Sequence, residues 1–282
     1  MKIVRTKQEL TQIINELKQN GTKIAFVPTM GNLHNGHITL VKKGREYADF
    51  VIVSIFVNKK QFGANEDFAS YPRTEAEDIA KLKEAHANLV YIPKDEGEIF
   101  GENFSLTLDV PHLTKCLCGI SRPNFFGGVL AVVTKLFLQV KPDFAIFGKK
   151  DYQQFLVVSA LAKSLDIGIE VVGVDTVREA KGLALSSRNN YFKEEDREKA
   201  NFIYAILSKV KSELLNGREL KSVLQKASLE LLENGIERID YLEVRNSHSL
   251  SLIESFNANE KAILFFAGFF KGVRLIDNIE IF

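Results

Sequence analysis

Short apolar runs alternate with helical patterns over residues 1–175, and this alternation constrains the fold more than any other feature of the sequence. The clearest run, residues 50–57, reads F-V-I-V-S-I-F-V, which is typical of a central strand in a parallel sheet. Strands that are separated by helices imply parallel pairing. The sequence therefore predicts a parallel α/β sheet, with strands at 24–27, 50–57, 89–92, 143–147 and 169–174.

Capping signals and apolar periodicity place the helices between these strands. Thr6 and Glu9 have the spacing of a capping box, at the start of a helix that ends near Gly21. Thr74 and Glu77 have the same spacing and are expected to open another helix. Further helices are predicted at 36–48, 128–140 and 152–165, and a loop is predicted at 113–126.

The pattern changes after residue 175, where long amphipathic helices at 194–215 and 219–233 precede strands at 238–244, 262–266 and 273–276. The apolar run 263–270 is read either as a core strand or as an interface. We therefore predict an α/β fold with two domains. Residues 1–175 form a Rossmann-like parallel-sheet domain, and residues 176–282 form a smaller C-terminal α+β domain.

Composition limits the classes of function. The chain has 37 Lys and Arg against 36 Asp and Glu, a net charge of +1, which argues against charge-driven binding of nucleic acid or membranes. The two cysteines, Cys116 and Cys118, are too few and too close for a disulfide framework or a four-ligand zinc site. The first residues lack the apolar core of a signal peptide. We expect a soluble, cytoplasmic protein that binds neither nucleic acid nor membranes.

The segment 27–37, V-P-T-M-G-N-L-H-N-G-H, follows a predicted strand and leads into a predicted helix. His34 and His37 are three residues apart, which places both on one face of the first helical turn. Gly31 and Gly36 allow backbone to approach a ligand closely, and a helix N-terminus attracts anions. The segment is typical of a nucleotide-phosphate site, although a glycine turn between a strand and a helix is also common. Neither the P-loop nor the G-x-G-x-x-G pattern is present.

Polar side chains also follow other predicted strands, at the edge of the sheet where ligands bind in parallel α/β folds. Asn58 and Gln61 follow the strand at 50–57 and suit a substrate with hydroxyl and carboxylate groups, or they are turn residues on a solvated loop. After the strand at 143–147, Gly148 allows close approach of the backbone. Lys150 would contact a phosphate, and Asp151 would contact a ribose hydroxyl or Mg²⁺. The alternative is that the two residues only cap a helix.

A serine–arginine cluster lies beyond the last strand of the predicted parallel sheet. Ser186, Ser187 and Arg188 supply two hydroxyl groups and a guanidinium on a short segment. Such a set is suited to the β- and γ-phosphates of a nucleoside triphosphate. The alternative is a polar linker between domains. All of these loops are expected at one edge of the sheet, which favours the ligand-binding interpretation.

With these residues the chain resembles the pantothenate synthetases, the pantoate–β-alanine ligase family of the HxGH nucleotidylyltransferase superfamily. HxGH alone is shared with many adenylyl and cytidylyl transferases, whereas its combination with the other motifs is specific. The motifs are P-T-M-G-x-L-H-x-G-H at 28–37, I-F-V-N-x-x-Q-F with E-D and Y-P-R at 55–73, S-R-P at 121–123, V-V-T-K-L-F at 132–137, P-D-x-A-x-F-G-x-K-D-Y-Q-Q at 142–154, R-E-A-x-G-L-A-L-S-S-R-N at 178–189 and R-L-I-D-N at 274–278.

The resemblance implies an ATP- and Mg²⁺-dependent condensation of (R)-pantoate with β-alanine that releases AMP and pyrophosphate. The pantoate carboxylate would attack the α-phosphate of ATP, and the amine of β-alanine would then open the pantoyl adenylate. The resemblance also implies a homodimer. Because an acyl adenylate must be kept from water, the C-terminal domain is expected to act as a lid.

The resemblance assigns the site residues as well, without any protein ligand for a metal. The expected catalytic residues are His34, His37, Lys150 and Arg188, with His37 as the proton donor. The expected contacts of pantoate and β-alanine are Asn58, Gln61, Arg122 and Gln154. The expected ATP-binding residues are Met30, Gly31, Asn32, Leu33, His34, Asn35, Gly36, His37, Gly148, Lys149, Lys150, Asp151, Val177, Leu185, Ser186, Ser187 and Arg188.

The sequence departs from the family pattern at several positions. The usual F-V-N-P is F-V-N-K at Lys59, K-L-F-N is K-L-F-L at Leu138, and D-G-L-A is K-G-L-A at Lys181. The usual S-R-P-G-H-F-R-G is S-R-P-N-F-F-G-G at 121–128. The HxGH loop and the K-D and S-S-R clusters are intact, so we expect an active ligase. The alternatives are a nucleotidylyltransferase that stops at a nucleotide adduct, and a nucleotide-binding protein without activity.

Overall fold

The computed structural model describes residues 1–64, 66–257 and 259–281. The chain divides into two compact units. The first comprises Met1–Lys149 and Gln153–Asp175, and the second comprises Lys150–Tyr152 and Thr176–Phe282.

The first unit is built on a parallel sheet, which confirms the predicted fold class. Within the described residues its strands pair in the order β1-β4-β3-β2-β5-β6, and every neighbouring pair is parallel. The strand order reverses between β2 and β5, and ligands of such sheets bind beyond the carboxyl ends of the strands at this point. The strands are β1 (Lys2–Val4), β2 (Ile24–Thr29), β3 (Phe50–Ile55), β4 (Leu89–Tyr91), β5 (Phe144–Gly148) and β6 (Glu170–Val174).

Helices connect these strands, and their ends follow the local sequence. The capping box at Thr6 and Glu9 is present, since each side chain accepts a backbone N–H of the other residue. α7 is buried along most of its length, in keeping with its almost wholly apolar sequence. The helices are α1 (Lys7–Gln19), α2 (Asn35–Tyr47), α3 (Glu75–Glu84), α4 (Glu96–Phe100), α5 (Pro111–Thr114), α6 (Cys118–Ser121), α7 (Phe125–Val140) and α8 (Tyr152–Ser164).

Several local predictions for the first unit were wrong. The strand β1 was missed, because three residues are too few to show a period. The predicted loop at 113–126 contains the end of α5, all of α6 and the start of α7. A helix does open after Thr74, as predicted, but the capping box is absent, since the Thr74 hydroxyl donates to Asp78 Oδ1 at 3.2 Å.

The second unit is a three-stranded antiparallel sheet with helices, in agreement with the predicted α+β class. The run 263–270 lies within the central strand β8, whose side chains are mostly buried, so it is a core strand. The predicted continuous helix 194–215 is divided near Ala200 into α9 and α10. The elements are α9 (Glu194–Lys199), α10 (Phe202–Leu215), α11 (Leu220–Glu233), β7 (Ile236–Asn246), β8 (Ala262–Phe270) and β9 (Val273–Glu280).

In the part of the chain that the structure describes, no helix combines the length and the apolar character needed to cross a bilayer.

Candidate active site

The loop between β2 and α2 has a backbone conformation that few residue types accept. Gly31 and Asn32 have φ angles of 80° and 50°, and glycine and asparagine are the residues that adopt this left-handed region most readily. Thr29 fixes the start of the loop. Its hydroxyl donates to the carbonyl of Ser54 at 2.7 Å and accepts the N–H of Gly31 at 3.2 Å. The loop therefore leaves β2 in a defined direction.

His34 and His37 lie at the N-terminus of α2, as their spacing predicted. His34 is the N-cap residue, and its Nδ1 accepts the N–H of Gly36 at 3.2 Å. The Nδ1 of His37 accepts the N–H of His34 at 3.3 Å, and the two ring centroids are 4.1 Å apart. Because a neutral imidazole has one donor and one acceptor nitrogen, these bonds place the proton on Nε2 of each ring. Both rings thus carry their N–H at Nε2, at a helix end that attracts anions.

A carboxylate from α3 holds this loop, and sequence reasoning missed it. Asp78 is fully buried, its Oδ2 accepts the N–H of Asn32 at 2.9 Å, and its Oδ1 accepts the N–H of Leu33 at 2.7 Å. Lys81 donates to the carbonyl of Leu33 at 2.7 Å. One signal was available: Asp78 has the i, i+4 spacing to the buried Leu82, on a helix face where an acidic residue is unusual.

The turn after β3 brings Asn58 and Gln61 to the same loop. Asn58 is buried, and its Nδ2 donates to Gln61 Oε1 at 3.1 Å and to the carbonyl of Gly128 at 3.0 Å. With Oε1 engaged, the Nε2 of Gln61 faces Met30 and lies 3.0 Å from its Sδ. Gly128 is required here, because a Cβ at this position would lie 2.1 Å from the carbonyl oxygen of Lys60. The structure thus joins Met30, Asn58 and Gln61 in one network.

Arg122 is held beside this turn by several contacts. Its Nε donates to Glu66 Oε1 at 2.7 Å, its Nη2 donates to Glu66 Oε2, and the same Nη2 also donates to the carbonyl of Gln61 at 3.2 Å. Its guanidinium lies 3.8 Å from the ring centroid of Phe125, which replaces the histidine of the family pattern. Asn124, which replaces a glycine, has a φ of 69° that asparagine tolerates. These two substitutions are therefore accommodated by Arg122 and by the backbone.

The segment after β5 carries the predicted lysines. β5 ends at Gly148, and residues 149–151 form a short 3₁₀ turn before α8. In the first unit, Lys149 pairs with Asp175 at 2.8 Å, so its charge is engaged within the protein. In the second unit, Lys150 Nζ lies 3.7 Å from Asp151 Oδ2.

Gln153 and Gln154 share the first turn of α8 but differ in burial. Gln153 is 5% exposed, and its amide donates to the carbonyl of Cys116 at 2.8 Å and accepts the N–H of Cys118 at 3.0 Å. These bonds span Leu117, which has a φ of 46°, an unusual value for leucine. Gln154 is half-buried. Gln153 is therefore structural, and Gln154 is the candidate substrate contact.

In the second unit, the predicted ATP-binding residues Val177 and 185–188 lie on one short hairpin and the 3₁₀ turn that follows it. The N–H of Leu185 donates to the carbonyl of Val177 at 3.0 Å. Ser186 caps the 3₁₀ turn that follows, and its Oγ accepts the N–H of Arg188 at 3.2 Å. Ser187 is buried, whereas Ser186 and Arg188 are half-buried. The structure thus brings these residues together.

Strand β9 anchors two segments of the second unit that carry predicted phosphate ligands. Asp277 forms a buried, two-bonded ion pair with Arg178, with Nη1–Oδ2 and Nη2–Oδ1 distances of 2.6 and 2.9 Å. The guanidinium of Arg178 lies 4.1 Å from the centroid of the Tyr204 ring. The Nδ2 of Asn278 donates to the carbonyl of Lys150 at 2.8 Å. The aspartate and asparagine of R-L-I-D-N are therefore supporting residues of this unit.

Known proteins show strong similarity over the whole chain. A family model described as Pantoate-beta-alanine ligase matches residues 2–280. A pantothenate synthetase of Shewanella halifaxensis is 46% identical over 278 residues, which cover 97% of each chain. A pantothenate synthetase of Fervidobacterium nodosum is 42% identical over 281 residues, which cover 100% of this chain and 99% of the relative.

Solved structures show the same similarity in three dimensions. The crystal structure of pantothenate synthetase from Thermus thermophilus has a TM-score of 0.93 and 40% sequence identity, over 100% of both chains. The crystal structure of pantoate-beta-alanine ligase from Francisella tularensis, complexed with beta-gamma ATP and beta-alanine, has a TM-score of 0.84 and 35% identity. That match covers 100% of this chain and 98% of the Francisella chain.

Proposed function

The chain belongs to the pantoate–β-alanine ligase family, and we propose that it condenses (R)-pantoate with β-alanine to pantothenate at the expense of ATP. The reaction passes through pantoyl adenylate and releases pyrophosphate and then AMP. One observation carries the proposal: His34 and His37 lie together at the N-terminus of α2, and the Nδ1 of each ring accepts a backbone N–H, which leaves the ring proton on Nε2.

In the first step, a carboxylate oxygen of pantoate attacks the α-phosphorus, and the bond to the bridging oxygen of the β-phosphate breaks. Negative charge grows on the phosphate oxygens and on the departing pyrophosphate. Donors that are already in place stabilise this charge most effectively. In our proposal these donors are His34 and His37, with His37 giving a proton, while Lys150, Arg188 and the adjacent serines hold the phosphates.

In the second step, the amine of β-alanine attacks the acyl carbon, AMP leaves with the bonding electron pair, and the amine loses a proton as the amide forms. Gln61 and Gln154 are the proposed contacts of pantoate, with Gln61 also near β-alanine. Asn58 fixes the amide of Gln61 so that Nε2 is the presented donor. Arg122 is engaged by Glu66 and is therefore proposed to hold the Gln61 turn.

We propose that Mg²⁺ binds together with ATP, through the phosphates of the nucleotide. Among the residues that the structure describes, no group of three His, Cys, Asp or Glu side chains is arranged as a metal cage. Mg²⁺ is usually bound by substrate phosphates together with one or two carboxylates, so it needs few ligands from the protein. Asp151 is the candidate carboxylate, and the ion would neutralise phosphate charge.

The larger organisation is also a proposal that rests on the family. Residues 1–175 would form the domain that binds nucleotide and pantoate, and residues 176–282 would act as the lid. The enzyme would work as a homodimer in the cytoplasm.

Pyrophosphate release tests the proposed function. Wild type and His37→Ala are assayed with ATP, Mg²⁺ and (R)-pantoate, with and without β-alanine, and His112→Ala in the exposed part of α5 serves as a matched control. We expect pantoate-dependent release, pantothenate on addition of β-alanine, and a loss of roughly 10²–10³-fold in His37→Ala only. A stable nucleotide adduct would indicate a nucleotidylyltransferase. ATP binding without pantoate-dependent release would contradict the ligase function.

A further inference from the structure

We propose that Asp78 is a positioning residue, which with Lys81 fixes the backbone of the loop that leads into His34 and His37. The proposal rests on the proposed function, because it assigns the two histidines to the transfer of the adenylyl group. Asp78 itself would touch no substrate. Its effect on the reaction passes through the loop backbone.

The contacts of α3 engage successive polar groups of this loop. Asp78 accepts the N–H groups of Asn32 and Leu33 at 2.9 and 2.7 Å, one with each carboxylate oxygen. One turn further along α3, Lys81 donates to the carbonyl of Leu33 at 2.7 Å. The bonded groups of Leu33 directly precede His34. Side chains of α3 therefore hold the last loop residues before α2, Asn32 and Leu33.

The conformation of the loop explains why a carboxylate is needed there. Gly31 and Asn32 both have positive φ, and successive N–H groups in such turns converge on one point and bind anions. In this chain, the carboxylate of Asp78 occupies that point. The hydroxyl of Thr74 donates to Asp78 Oδ1 at 3.2 Å and helps to orient it. A Cβ at Gly31 would lie 3.1 Å from Asp78 Oδ2, so the carboxylate and the loop backbone are in close contact.

This arrangement divides the donors of the loop between two anions. The N–H groups of Asn32 and Leu33 serve the buried carboxylate. In our proposal, the transferring phosphate is then stabilised by His34, His37 and the N-terminus of α2. Their position relative to the phosphate matters most in the transition state, where the charge is largest. Loosening the loop should therefore lower kcat more than it raises KM.

The test compares Asp78→Asn with Glu77→Gln, which removes a carboxylate from the adjacent exposed position of α3. The amide of asparagine has the size of the carboxylate, but its Nδ2 cannot accept a backbone N–H. Hydrogen exchange of the peptide that contains Asn32 and Leu33 is measured without substrates. We expect at least tenfold faster exchange in Asp78→Asn and wild-type exchange in Glu77→Gln.

Pantoate-dependent pyrophosphate release is measured on the same proteins, with the folded fraction determined at the assay temperature. We expect kcat of folded Asp78→Asn to fall at least tenfold, with the KM values for ATP and pantoate within threefold of wild type. Leu10→Ala, in the buried face of α1, controls for general destabilisation and should keep the wild-type kcat. If Asp78→Asn does not fold, Lys81→Met tests the same clamp and is expected to lower kcat at least threefold.

Each result bears on one of the two proposals. Unchanged exchange in Asp78→Asn would overturn the clamp, and an unchanged kcat would overturn its role in positioning the histidines. If wild type itself shows no pantoate-dependent release, the proposed function fails, and with it the role of Asp78 in that reaction. Faster exchange in Asp78→Asn would still support the structural clamp in that case.

Discussion

Two neighbouring glutamines, Gln153 and Gln154, have different surroundings although both belong to the Q-Q pair of the sequence motif. Gln153 is buried and satisfies backbone groups on both sides of Leu117. Leucine rarely adopts a positive φ, so this segment depends on partners that hold it. Cys116 and Cys118, on either side of Leu117, are buried thiols, so no disulfide supplies the constraint.

Gln153→Leu is expected to destabilise the first unit by roughly 2–4 kcal/mol, because it leaves buried carbonyl and N–H groups unpaired in a segment with an unusual backbone. The matched substitution Gln154→Leu should leave stability within about 0.5 kcal/mol of wild type and raise the KM for pantoate. Urea denaturation and steady-state kinetics measure the two effects. Equal losses of stability in both variants would contradict this division.

At the level of elements, the 3₁₀ turn Lys59–Gln61 and the helix α7 support each other at the place where we propose that pantoate binds. Asn58 caps the turn, with its Oδ1 accepting the N–H of Lys60 at 3.3 Å, and its Nδ2 reaches the carbonyl of Gly128. Lys59 occupies the first position of the turn, where a proline fits because no backbone donor is required. The lysine at this position therefore removes a conformational constraint while the cap that forms the turn is retained.

Two adjacent glycines at the start of α7 make a sharp test of this contact. A Cβ at Gly128 would lie 2.1 Å from the carbonyl oxygen of Lys60, whereas a Cβ at Gly127 would meet no atom within 4 Å. Gly128→Ala should therefore displace the turn and raise the KM for pantoate at least tenfold. Gly127→Ala should keep wild-type kinetics and stabilise the helix by about 0.5–1 kcal/mol. Thermal melting and kinetics on both variants check the prediction, which fails if the two behave alike.

At the scale of the molecule, the residues at the carboxyl ends of the parallel strands differ in role from those at the amino ends. The loop with the paired histidines follows the carboxyl end of β2. Asp143 lies at the opposite edge, before β5, where it accepts hydrogen bonds from Lys18, Lys23 and the N–H of Ile24 at 2.8, 3.0 and 2.9 Å. Although Asp143 belongs to a family motif, these contacts indicate that it stabilises the fold.

The pKa of Asp143 gives its contribution a definite pH range. Burial would raise this pKa, but the hydrogen bonds from Lys18, Ile24 and Lys23 outweigh burial and lower the pKa to about 2. An aspartate in the unfolded chain titrates near ~3.9. The ionised carboxylate therefore stabilises the fold above about pH 4, and this contribution is lost as the pH falls through about 2.

Asp143→Asn should accordingly lower the free energy of unfolding by about 1–2 kcal/mol at pH 7, after allowance for partial solvent screening. The difference from wild type should shrink as the pH falls from about 4 toward 2, and kcat at pH 7 should stay within twofold of wild type. Urea denaturation across this pH range measures the effect, with the exposed Asp49→Asn as control. A difference that is independent of pH would contradict the ionic origin.

The parallel α/β class, the capping box at Thr6, the histidine pair at a helix start and the loops that carry the motifs could all be predicted from the sequence. These features depend on short-range spacing and on side-chain chemistry, both of which can be read along the chain. Two predictions about individual elements were wrong: the helix that is divided near Ala200 and the short strand β1 that was missed. Neither error changed the predicted class of the fold.

The polar residues that support the candidate site could be recognised only from contacts between distant segments. Asp78 binds the N–H of Asn32 from 46 positions away, and Lys149 pairs with Asp175 across 26 positions. Gln153 is buried and Gln154 is half-buried, although the two are neighbours in sequence. Hydrogen-bond partners and burial depend on which segments the sheet brings together. Periodicity and spacing describe one segment at a time, so they could not reveal these partners.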